Sequence, residues 1–315
     1  IKMVTPLISV VIPLYNKGTF VSESVDSVLQ QDYSNLEILV VNDASTDYSL
    51  EVIKTYSDSR IKIINNETNQ GLSASRNIGI KKSKGDLIAL LDADDTWAPK
   101  YLSIINELYQ KFPNQVFYGT DFLEIFSKKG AFRTQKNINK TANNAFVIVS
   151  DFFEASKSQA ILCPSSMVIN KKIASDHMFN KAVTYAEDVD FYIRFFTNNS
   201  LAYFNKPLVF KKANISNQIT RLSISNRQIP NLNSLQEKYV IETESFLTYI
   251  NNKRYMYAYR LKLEGSDFSF LSHHIDFNSL NTKQKIALKA PKLIMLVLNS
   301  MKQILLKLNI KFKTY

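Results

Sequence analysis

The chain has 315 residues, of which 45% are hydrophobic and 21% are charged, and this composition suits one large globular domain or a domain with an appendage. A single cysteine, Cys163, excludes an internal disulfide framework and fits a reducing compartment, and the first residues lack the pattern of a secretory signal. The net charge is +11, but eight lysines and no acid follow Asp276. The basic character therefore belongs to the tail, which favours a surface contact there and gives no reason to expect a nucleic-acid partner.

Short apolar runs alternate with helical patterns over the first 110 residues. The runs at residues 7–12, 37–41, 61–64 and 87–91 predict buried strands, and we expect residues 99–111 to form a helix after the last of them. This alternation predicts an α/β fold with a mostly parallel sheet and helices on both faces. Each run ends in a polar loop, and loops at the carboxyl ends of parallel strands share the rim where such sheets bind ligands. No Gly-x-Gly-x-x-Gly or Gly-Lys-Ser/Thr pattern is present, which argues against a dinucleotide site or a phosphate-binding loop of those types.

Three acids follow the fourth predicted strand within four positions, at Asp92, Asp94 and Asp95. Carboxylates this close repel one another unless a cation lies between them, and a divalent ion that also binds substrate phosphates would explain the cluster. The alternative is that the acids only favour the first turn of a following helix.

Four motifs, in this order and spacing, resemble those of family 2 glycosyltransferases with the GT-A fold. They are residues 13–16 (PLYN), 41–47 (VNDASTD), 69–77 (NQGLSASRN) and 91–95 (LDADD). The resemblance covers roughly residues 5–215 and implies a Rossmann-like GT-A domain, a nucleotide-sugar donor, an inverting reaction and a divalent metal, Mn²⁺ or Mg²⁺. The second motif of the family usually reads Asp-Gly-Ser, and this chain has alanine at the middle position.

The resemblance also implies roles for the residues of the donor site. Asp43 would accept a hydrogen bond from the base, most naturally a uracil N–H, and Pro13 and Tyr15 would border that base. Arg76 would lie near the diphosphate, although a solvated helix face is the alternative, and Asp92 would bind the ribose or the sugar of the donor.

The resemblance also implies a metal ligand and a catalytic base, in the 91–95 motif and in a later acidic segment. Asp94 would ligate the metal, and Asp188, in the acidic start of a helix near residue 187, would be the catalytic base. Glu187 would orient the acceptor and Asp190 would face solvent, and the alternative for these acids is that they complement the helix dipole. Trp97 would pack beneath the acceptor or only in the core.

We divide the chain into a catalytic domain, residues 1–215, and a helical region, residues 216–315. The catalytic domain has a nucleotide-sugar half (1–110) and an acceptor half (111–215), in which residues 116–120, 122–126 and 165–169 predict strands and residues 127–145 a loop or insertion. Residues 218–222 (QITRL) faintly resemble the Gln-x-x-Arg-Trp motif of processive synthases, but the tryptophan is replaced and no spanning segment accompanies it, so we predict non-processive transfer.

The last predicted helix begins at Pro291 and ends near residue 308. Its apolar run is too short to span a bilayer. One side is apolar and the other is rich in lysine, which is typical of a helix attracted to an anionic membrane surface. The alternative is packing on the catalytic domain or on a second subunit in a homo-oligomer.

These patterns predict an inverting glycosyltransferase that moves a sugar from a nucleotide-sugar, favoured as a UDP-sugar, to a glycan or lipid-linked glycan. The family resemblance places it in bacterial surface-polysaccharide synthesis, in the cytoplasm and peripheral to the inner face of the membrane. A sugar-1-phosphate nucleotidyltransferase is the rival enzyme, but residues 13–18 lack its Gly- and basic-rich loop. An inactive nucleotide-sugar-binding subunit is the other rival, and the intact acids disfavour it.

Overall fold

A mixed ten-stranded sheet forms the centre of the described protein. The computed structural model describes residues 5–126, 130–138, 144–173, 178–213, 215, 218, 222–239 and 243–297. The first part alternates strands and helices in the order β1 Ile8–Leu14, α1 Val21–Leu29, β2 Leu36–Asn42, α2 Ser49–Lys54, β3 Ile61–Asn65, α3 Leu72–Lys82 and β4 Leu87–Leu90.

The second part completes the sheet and adds helices around it. Its elements are β5 Thr96–Trp97, α4 Tyr101–Lys111, β6 Phe117–Phe126, β7 Gly130–Arg133, β8 Phe146–Val149, α5 Phe152–Ala155, a 3₁₀ turn Pro164–Ser166, β9 Met167–Asn170, a 3₁₀ turn Lys171–Ile173, α6 Glu187–Phe196 and β10 Leu201–Ala213. The C-terminal part is helical, with α7 Leu232–Lys238, α8 Glu244–Glu264, α9 Ser269–Ser272, α10 Thr282–Lys289 and a helical segment over residues 292–297.

The strand order is β3-β2-β1-β4-β9-β6-β10-β5, with β7 paired to β6 and β8 paired to β10. The first four strands are parallel, as the sequence predicted, and β9 runs antiparallel between β4 and β6. The chain builds outward from β1 through β2 to β3 and then returns to the other side of β1 with β4. The carboxyl ends of β1 and β4 therefore flank a topological switch point, the place where open α/β sheets form ligand-binding crevices.

Alternate residues of the central strands supply two separate cores. Val11, Ile88 and Leu90 belong to the core on one face of the sheet, while Val10 and Ala89 belong to the core on the other face. Because side chains alternate across a strand, a continuous apolar run covers both faces and needs helices on each. The prediction of helices on both faces is confirmed.

The C-terminal helices share the core of the catalytic sheet. The ring of Phe153 in α5 lies 5.0 Å from Phe246 and 5.2 Å from Tyr249, both in α8, measured between centroids. These rings belong to the same hydrophobic cluster as Phe191 of α6. The predicted division at residue 215 stays a prediction, but in the described residues the two parts are joined by packing rather than by a linker alone.

Several predicted boundaries differ from the structure. Strand β1 continues through Pro13 rather than ending before it. Only Ile8–Val11 of β1 pair with β4, so β2 is the single strand beside the proline. One strand, β6, replaces the two predicted at residues 116–126, and residues 130–133 form β7 against it rather than a loop. The predicted strand at residues 165–169 begins as a 3₁₀ turn, and residues 127–129 and 139–143 of the predicted insertion lie outside the described residues.

The last predicted helix begins as expected, since residues 292–297 are helical after Pro291. Residues 298–315, which carry the rest of the predicted amphipathic pattern, lie outside the described residues, as does Arg221 of the segment 218–222. Within the part of the chain that the structure describes, no helix is long and apolar enough to cross a membrane.

Candidate active site

A cavity of about 600 Å³ lies at the switch point between β1 and β4. One side, which we name the strand side, lies at the ends of the first four strands and the start of α3, and is formed by residues 13–17, 43, 69–73, 75, 76 and 92–95. The other, the α6 side, is formed by residues 181 and 183–188 with Gln218, Leu222 and Arg227. The structure therefore brings eight predicted site residues to one cavity: Pro13, Tyr15, Asp43, Arg76, Asp92, Asp94, Glu187 and Asp188.

Asp43, at the end of β2, organises the loop before α3. Its Oδ1 accepts hydrogen bonds from Asn66 Nδ2 at 2.7 Å and from the Gln70 amide at 2.9 Å, and its Oδ2 accepts one from the Gly71 amide at 2.8 Å. A carboxylate has about four acceptor positions, so these three bonds leave one free on Oδ2. That position can take one further donor, which fits the predicted hydrogen bond from a base.

Three residues beside the cavity adopt left-handed backbone conformations. The φ angles are 51° at Asn16, 56° at Ala44 and 58° at Ala186. For alanine this region is strained, and such strain concentrates at functional sites where the surrounding structure enforces it. The position of Ala44 also explains why the family motif prefers glycine there, since glycine adopts this φ without a steric cost.

Arg76 joins the two sides of the cavity. Its Nη2 donates to Asp92 Oδ1 and its Nη1 donates to Glu187 Oε1, both at 2.6 Å, and its guanidinium lies 5.0 Å from the ring centre of Phe179. The side chain is 1% exposed, so the solvated-face alternative is excluded. Burial works against the charge, but the Asp92 and Glu187 carboxylates more than offset it and raise the pKa of Arg76. The charge of Arg76 is thus already balanced by two acids.

Asp94 is paired with a lysine from the loop after β1. Lys17 Nζ lies 2.6 Å from Asp94 Oδ2, and both side chains are largely buried. Among the described residues, no group of three or more acidic, cysteine or histidine side chains converges to hold a metal. A site with one or two protein carboxylates, Asp94 among them, still fits an ion such as Mg²⁺, which is held by one or two carboxylates together with substrate phosphates.

Asp95 has a structural position that differs from that of Asp94. Its Oδ2 accepts from Ser165 Oγ at 2.6 Å and its Oδ1 from the Lys212 amide at 3.1 Å, which ties the loop after β4 to β10. Burial, together with the nearby charges of Asp94 and Asp92, raises the pKa of Asp95 well above its usual range. Asp95 thus fixes the loop that carries Asp92 and Asp94.

The acids at the start of α6 have three different environments. Glu187 is buried against Arg76, whereas Asp188 is half-buried on the cavity wall, and among the described residues only the Val189 amide donates to its carboxylate, at 2.9 Å. The prediction that Asp190 faces solvent is wrong: it is 3% exposed and its Oδ2 accepts from Arg194 Nε at 2.7 Å, one helical turn away. Asp188 is therefore the acid of this segment that is available to a ligand.

Of the two positions predicted for Trp97, the structure shows the one in the core and not the one beneath an acceptor. It is 4% exposed, its Nε1 donates to the Ser165 carbonyl oxygen at 2.7 Å, and its ring stacks on Tyr101 at 4.3 Å between centroids. Its place in β5, paired with β10, turns the indole into the core, away from the residues that line the described cavity.

Sequence reasoning missed three residues of the site, namely Lys17, Ser165 and Lys211. Lys17 lies in the first polar loop, and its position just after a predicted strand could have identified it as a residue of the site. Ser165 and Lys211 reach the site through contacts between segments that are far apart in the chain, and such contacts leave no local pattern in the sequence. No local pattern distinguishes Lys211 from its neighbour Lys212.

Comparisons with known proteins agree with this fold. The profile of glycosyl transferase family 2 matches residues 9–177, more than half of the chain. An uncharacterized glycosyltransferase of Haemophilus influenzae is 28% identical over 313 residues, covering 90% of this chain and 96% of that protein. The Escherichia coli UDP-Glc:alpha-D-GlcNAc-diphosphoundecaprenol beta-1,3-glucosyltransferase WfgD is 38% identical over 113 residues, covering 36% of this chain and 45% of that protein.

Among solved structures, residues 1–349 of Staphylococcus aureus TarS in complex with UDP-GlcNAc match with a TM-score of 0.59 and 16% identity, covering 89% of this chain and 78% of that chain. The complex of the same TarS fragment with UDP matches with a TM-score of 0.55 and 17% identity, covering 89% and 86%. At this identity the likeness shows a shared fold. Together with the family profile, it establishes that the chain belongs to glycosyl transferase family 2 and is a glycosyltransferase with the GT-A fold.

Proposed function

We propose that this glycosyltransferase moves a sugar from a UDP-sugar to a hydroxyl of a glycan or lipid-linked glycan, one sugar at a time and with inversion at the anomeric carbon. The observation that carries the proposal is that Asp94 and Asp188 line the same cavity from its two sides. A carboxylate suited to a phosphate-bound cation and an available carboxylate suited to a general base are the two groups that this reaction requires.

The proposed mechanism is a single displacement. As the acceptor oxygen approaches the anomeric carbon, its proton passes to the Asp188 carboxylate, and the bond from that carbon to the diphosphate oxygen breaks with both electrons leaving on oxygen. The acceptor enters from the α6 side and the diphosphate leaves toward the strand side, so attack and departure take place on opposite faces of the sugar. Inversion follows from that geometry.

A metal ion would act at the strand side. Asp94 would hold Mg²⁺ or Mn²⁺ together with the donor phosphates, and the ion would supply positive charge for the leaving diphosphate. Asp92 and Arg76 support this arrangement indirectly, because their ion pair at 2.6 Å fixes the loop on which Asp94 lies.

The relatives support the choice of donor and acceptor classes. The structural neighbour TarS is described in complexes with UDP-GlcNAc and with UDP, and the name of the relative WfgD gives a UDP-glucose donor and a diphosphoundecaprenol-linked acceptor. The remaining acceptor position on Asp43 fits the imide N–H of uracil. We therefore infer a UDP-sugar donor and an acceptor attached to a lipid carrier, as in bacterial surface-polysaccharide synthesis on the cytoplasmic side of the membrane.

We further infer that the C-terminal end binds an anionic membrane surface, which would bring the site to a lipid-linked acceptor. The helical segment 292–297 packs on the protein through Met295, which is 1% exposed, while Leu293 is 73% and Val297 53% exposed. Ile286, in the preceding helix α10, is 58% exposed. Lysines accompany these apolar residues, with no acid between residues 277 and 297, and this combination is typical of an interfacial segment.

The test is a panel of nucleotide sugars incubated with the protein, Mn²⁺ or Mg²⁺ and lipid-linked glycans, followed by measurement of nucleotide release and product formation. Nuclear magnetic resonance of the product reports the anomeric configuration. We expect release of UDP and an inverted linkage. Release from a different nucleotide sugar alone would contradict the donor, and a retained configuration would contradict the single displacement.

A further inference from the structure

A bound nucleoside diphosphate brings several negative charges to the strand side of the cavity, and most cations there are already neutralised. Arg76 is balanced by Asp92 and Glu187, and Lys17 lies 2.6 Å from Asp94. The α6 side has two further cations, Lys181, which is exposed, and Arg227, whose Nη1 donates to the Thr184 carbonyl oxygen at 3.1 Å. A buried anion needs a cation or several hydrogen bonds to offset the cost of leaving water.

Lys211, in β10, is a partly buried cation on the wall of this cavity. Within the described ranges its ammonium has no carboxylate within ion-pair distance and no hydrogen-bond acceptor. Its neighbour Lys212 points the other way, because side chains alternate along a strand, and forms an ion pair with Glu23 at 2.6 Å. The strand therefore directs one lysine into the cavity and one away from it.

The position of Lys211 is fixed by the core of the site. The amide of Lys212 donates to Asp95 Oδ1 at 3.1 Å, so the main chain at this point is attached to the loop that carries Asp94. Lys211 lines the same cavity as Asp94 and Asp188, so a ligand held between these two acids lies within the cavity whose wall Lys211 helps to form.

Lys211 remains charged in this environment. Burial favours loss of the proton, but the ionisable groups around it, Cys163 first and then Asp95, Glu124 and Asp188, more than offset that effect and raise the pKa of Lys211. A partly buried ammonium on the cavity wall, without an acceptor among the described residues, is an available partner for an anionic ligand.

We propose that Lys211 contacts the diphosphate of the donor, stabilises the charge that develops there as the sugar leaves, and thereby selects nucleoside diphosphates over monophosphates. This inference rests on the proposed nucleotide-sugar donor. It assigns the charge compensation that the family motif suggested for Arg76 to a different residue, and leaves Arg76 to hold the two sides of the site together.

The test compares Lys211→Met with Lys212→Met, which removes the same charge from the same strand outside the cavity and keeps the main-chain amide that holds Asp95. Calorimetric affinities for UDP, UMP and uridine are measured in EDTA, so that no metal ion masks the lysine. We expect Lys211→Met to weaken UDP binding by about ten- to a hundredfold, the effect of one charge-assisted hydrogen bond, and to bring it near that of UMP. Lys212→Met and the charge-conserving Lys211→Arg should stay near the wild-type affinity.

The outcomes separate this inference from the proposed function. A wild-type protein that binds none of UDP, GDP and dTDP, with Mn²⁺ as well as in EDTA, would refute the donor class. If the wild type binds UDP and a folded Lys211→Met variant binds it with equal affinity, the inference about Lys211 is overturned and the proposed function is not. Unchanged UDP binding with a displaced pH profile for turnover would also overturn the inference, by showing that Lys211 acts on Asp188 instead. If Lys211→Met does not fold, Lys211→Gln replaces it in the same comparison.

Discussion

The guanidinium of Arg76 lies 2.6 Å from the carboxylate of Glu187, although 111 positions separate them in the chain. The contact joins helix α3, on the strand side of the cavity, to helix α6, on the opposite side. A second carboxylate, Asp92, binds the other end of the same guanidinium at 2.6 Å. One buried positive charge therefore connects the loop of the proposed metal ligand to the helix of the proposed base.

Replacement of Arg76 by methionine should destabilise the protein strongly. It leaves Glu187 and Asp92 without their partner, and an uncompensated buried carboxylate of this kind costs about 3–5 kcal/mol. Urea unfolding of Arg76→Met measures the loss. Arg60→Met is the control, because Arg60 pairs with Asp58 at the surface and such pairs contribute less than about 1 kcal/mol. If Arg76→Met unfolds like wild type but no longer binds UDP, Arg76 serves the diphosphate as the family resemblance implied.

Asp188→Asn should reduce turnover by about 10²- to 10⁴-fold and leave UDP affinity unchanged. The amide keeps the shape of the side chain but cannot take the proton of the acceptor hydroxyl. Steady-state rates and calorimetric titration with UDP give the two quantities. Near-normal turnover would refute the assignment and make Glu187, which is otherwise committed to Arg76, the next residue to test.

Asp94→Asn should remove the contribution of Mn²⁺ to UDP binding. Calorimetry of the wild-type protein with and without EDTA gives that contribution, and the variant should show no difference between the two conditions. In EDTA the variant should bind UDP at least as well as wild type, because Lys17 is released from its 2.6 Å pair with Asp94 and a negative charge is lost. A wild-type Mn²⁺ effect that persists in the variant would place the metal on another residue.

The sequence predicted most of the fold, because buried parallel strands leave a local signal. The apolar runs at residues 37–41 and 87–91 correspond to β2 and β4, and the acids after β4 reach the cavity as expected. What could not be predicted depends on long-range packing. Asp190 lies on the buried face of α6, where it pairs with Arg194. Which of Lys211 and Lys212 reaches the cavity depends on how β10 pairs with β6 and β5.

Ala44→Gly should stabilise the protein. Ala44 has a φ of 56°, a left-handed conformation that costs a residue with a Cβ about 1–2 kcal/mol, whereas the greater freedom of glycine in the unfolded chain offsets about 0.4–1 kcal/mol of the gain. The net increase in the free energy of unfolding should be about 0.5–1 kcal/mol by urea titration. Ala74→Gly, at a buried position inside helix α3, is the control and should lose at least about 1 kcal/mol. A loss at both positions would show that the Ala44 methyl group makes a compensating contact.

Membrane binding through the C-terminal end should have a part that salt weakens and a part that it does not. Lysines near an anionic surface contribute about 1 kcal/mol each, screened within a Debye length of about 8 Å at physiological salt, whereas burial of apolar side chains is insensitive to screening. The variant Lys283→Gln/Lys285→Gln/Lys289→Gln should weaken the first part, since it removes three of the eight lysines that follow Asp276. Leu293→Ser/Val297→Ser, at residues 73% and 53% exposed, should lose the second.

Sedimentation with phosphatidylglycerol vesicles over a range of salt concentrations separates the two parts, and phosphatidylcholine vesicles are the control for charge. We expect the lysine variant to bind more weakly than wild type at low salt and to lose less of its binding as salt is added, while the serine variant dissociates fully at high salt. Both should keep wild-type turnover on a soluble acceptor, since these residues lie away from the cavity lining. If wild type does not sediment, and the serine variant instead halves the particle mass in solution, the exposed apolar residues form a contact between two copies of the chain.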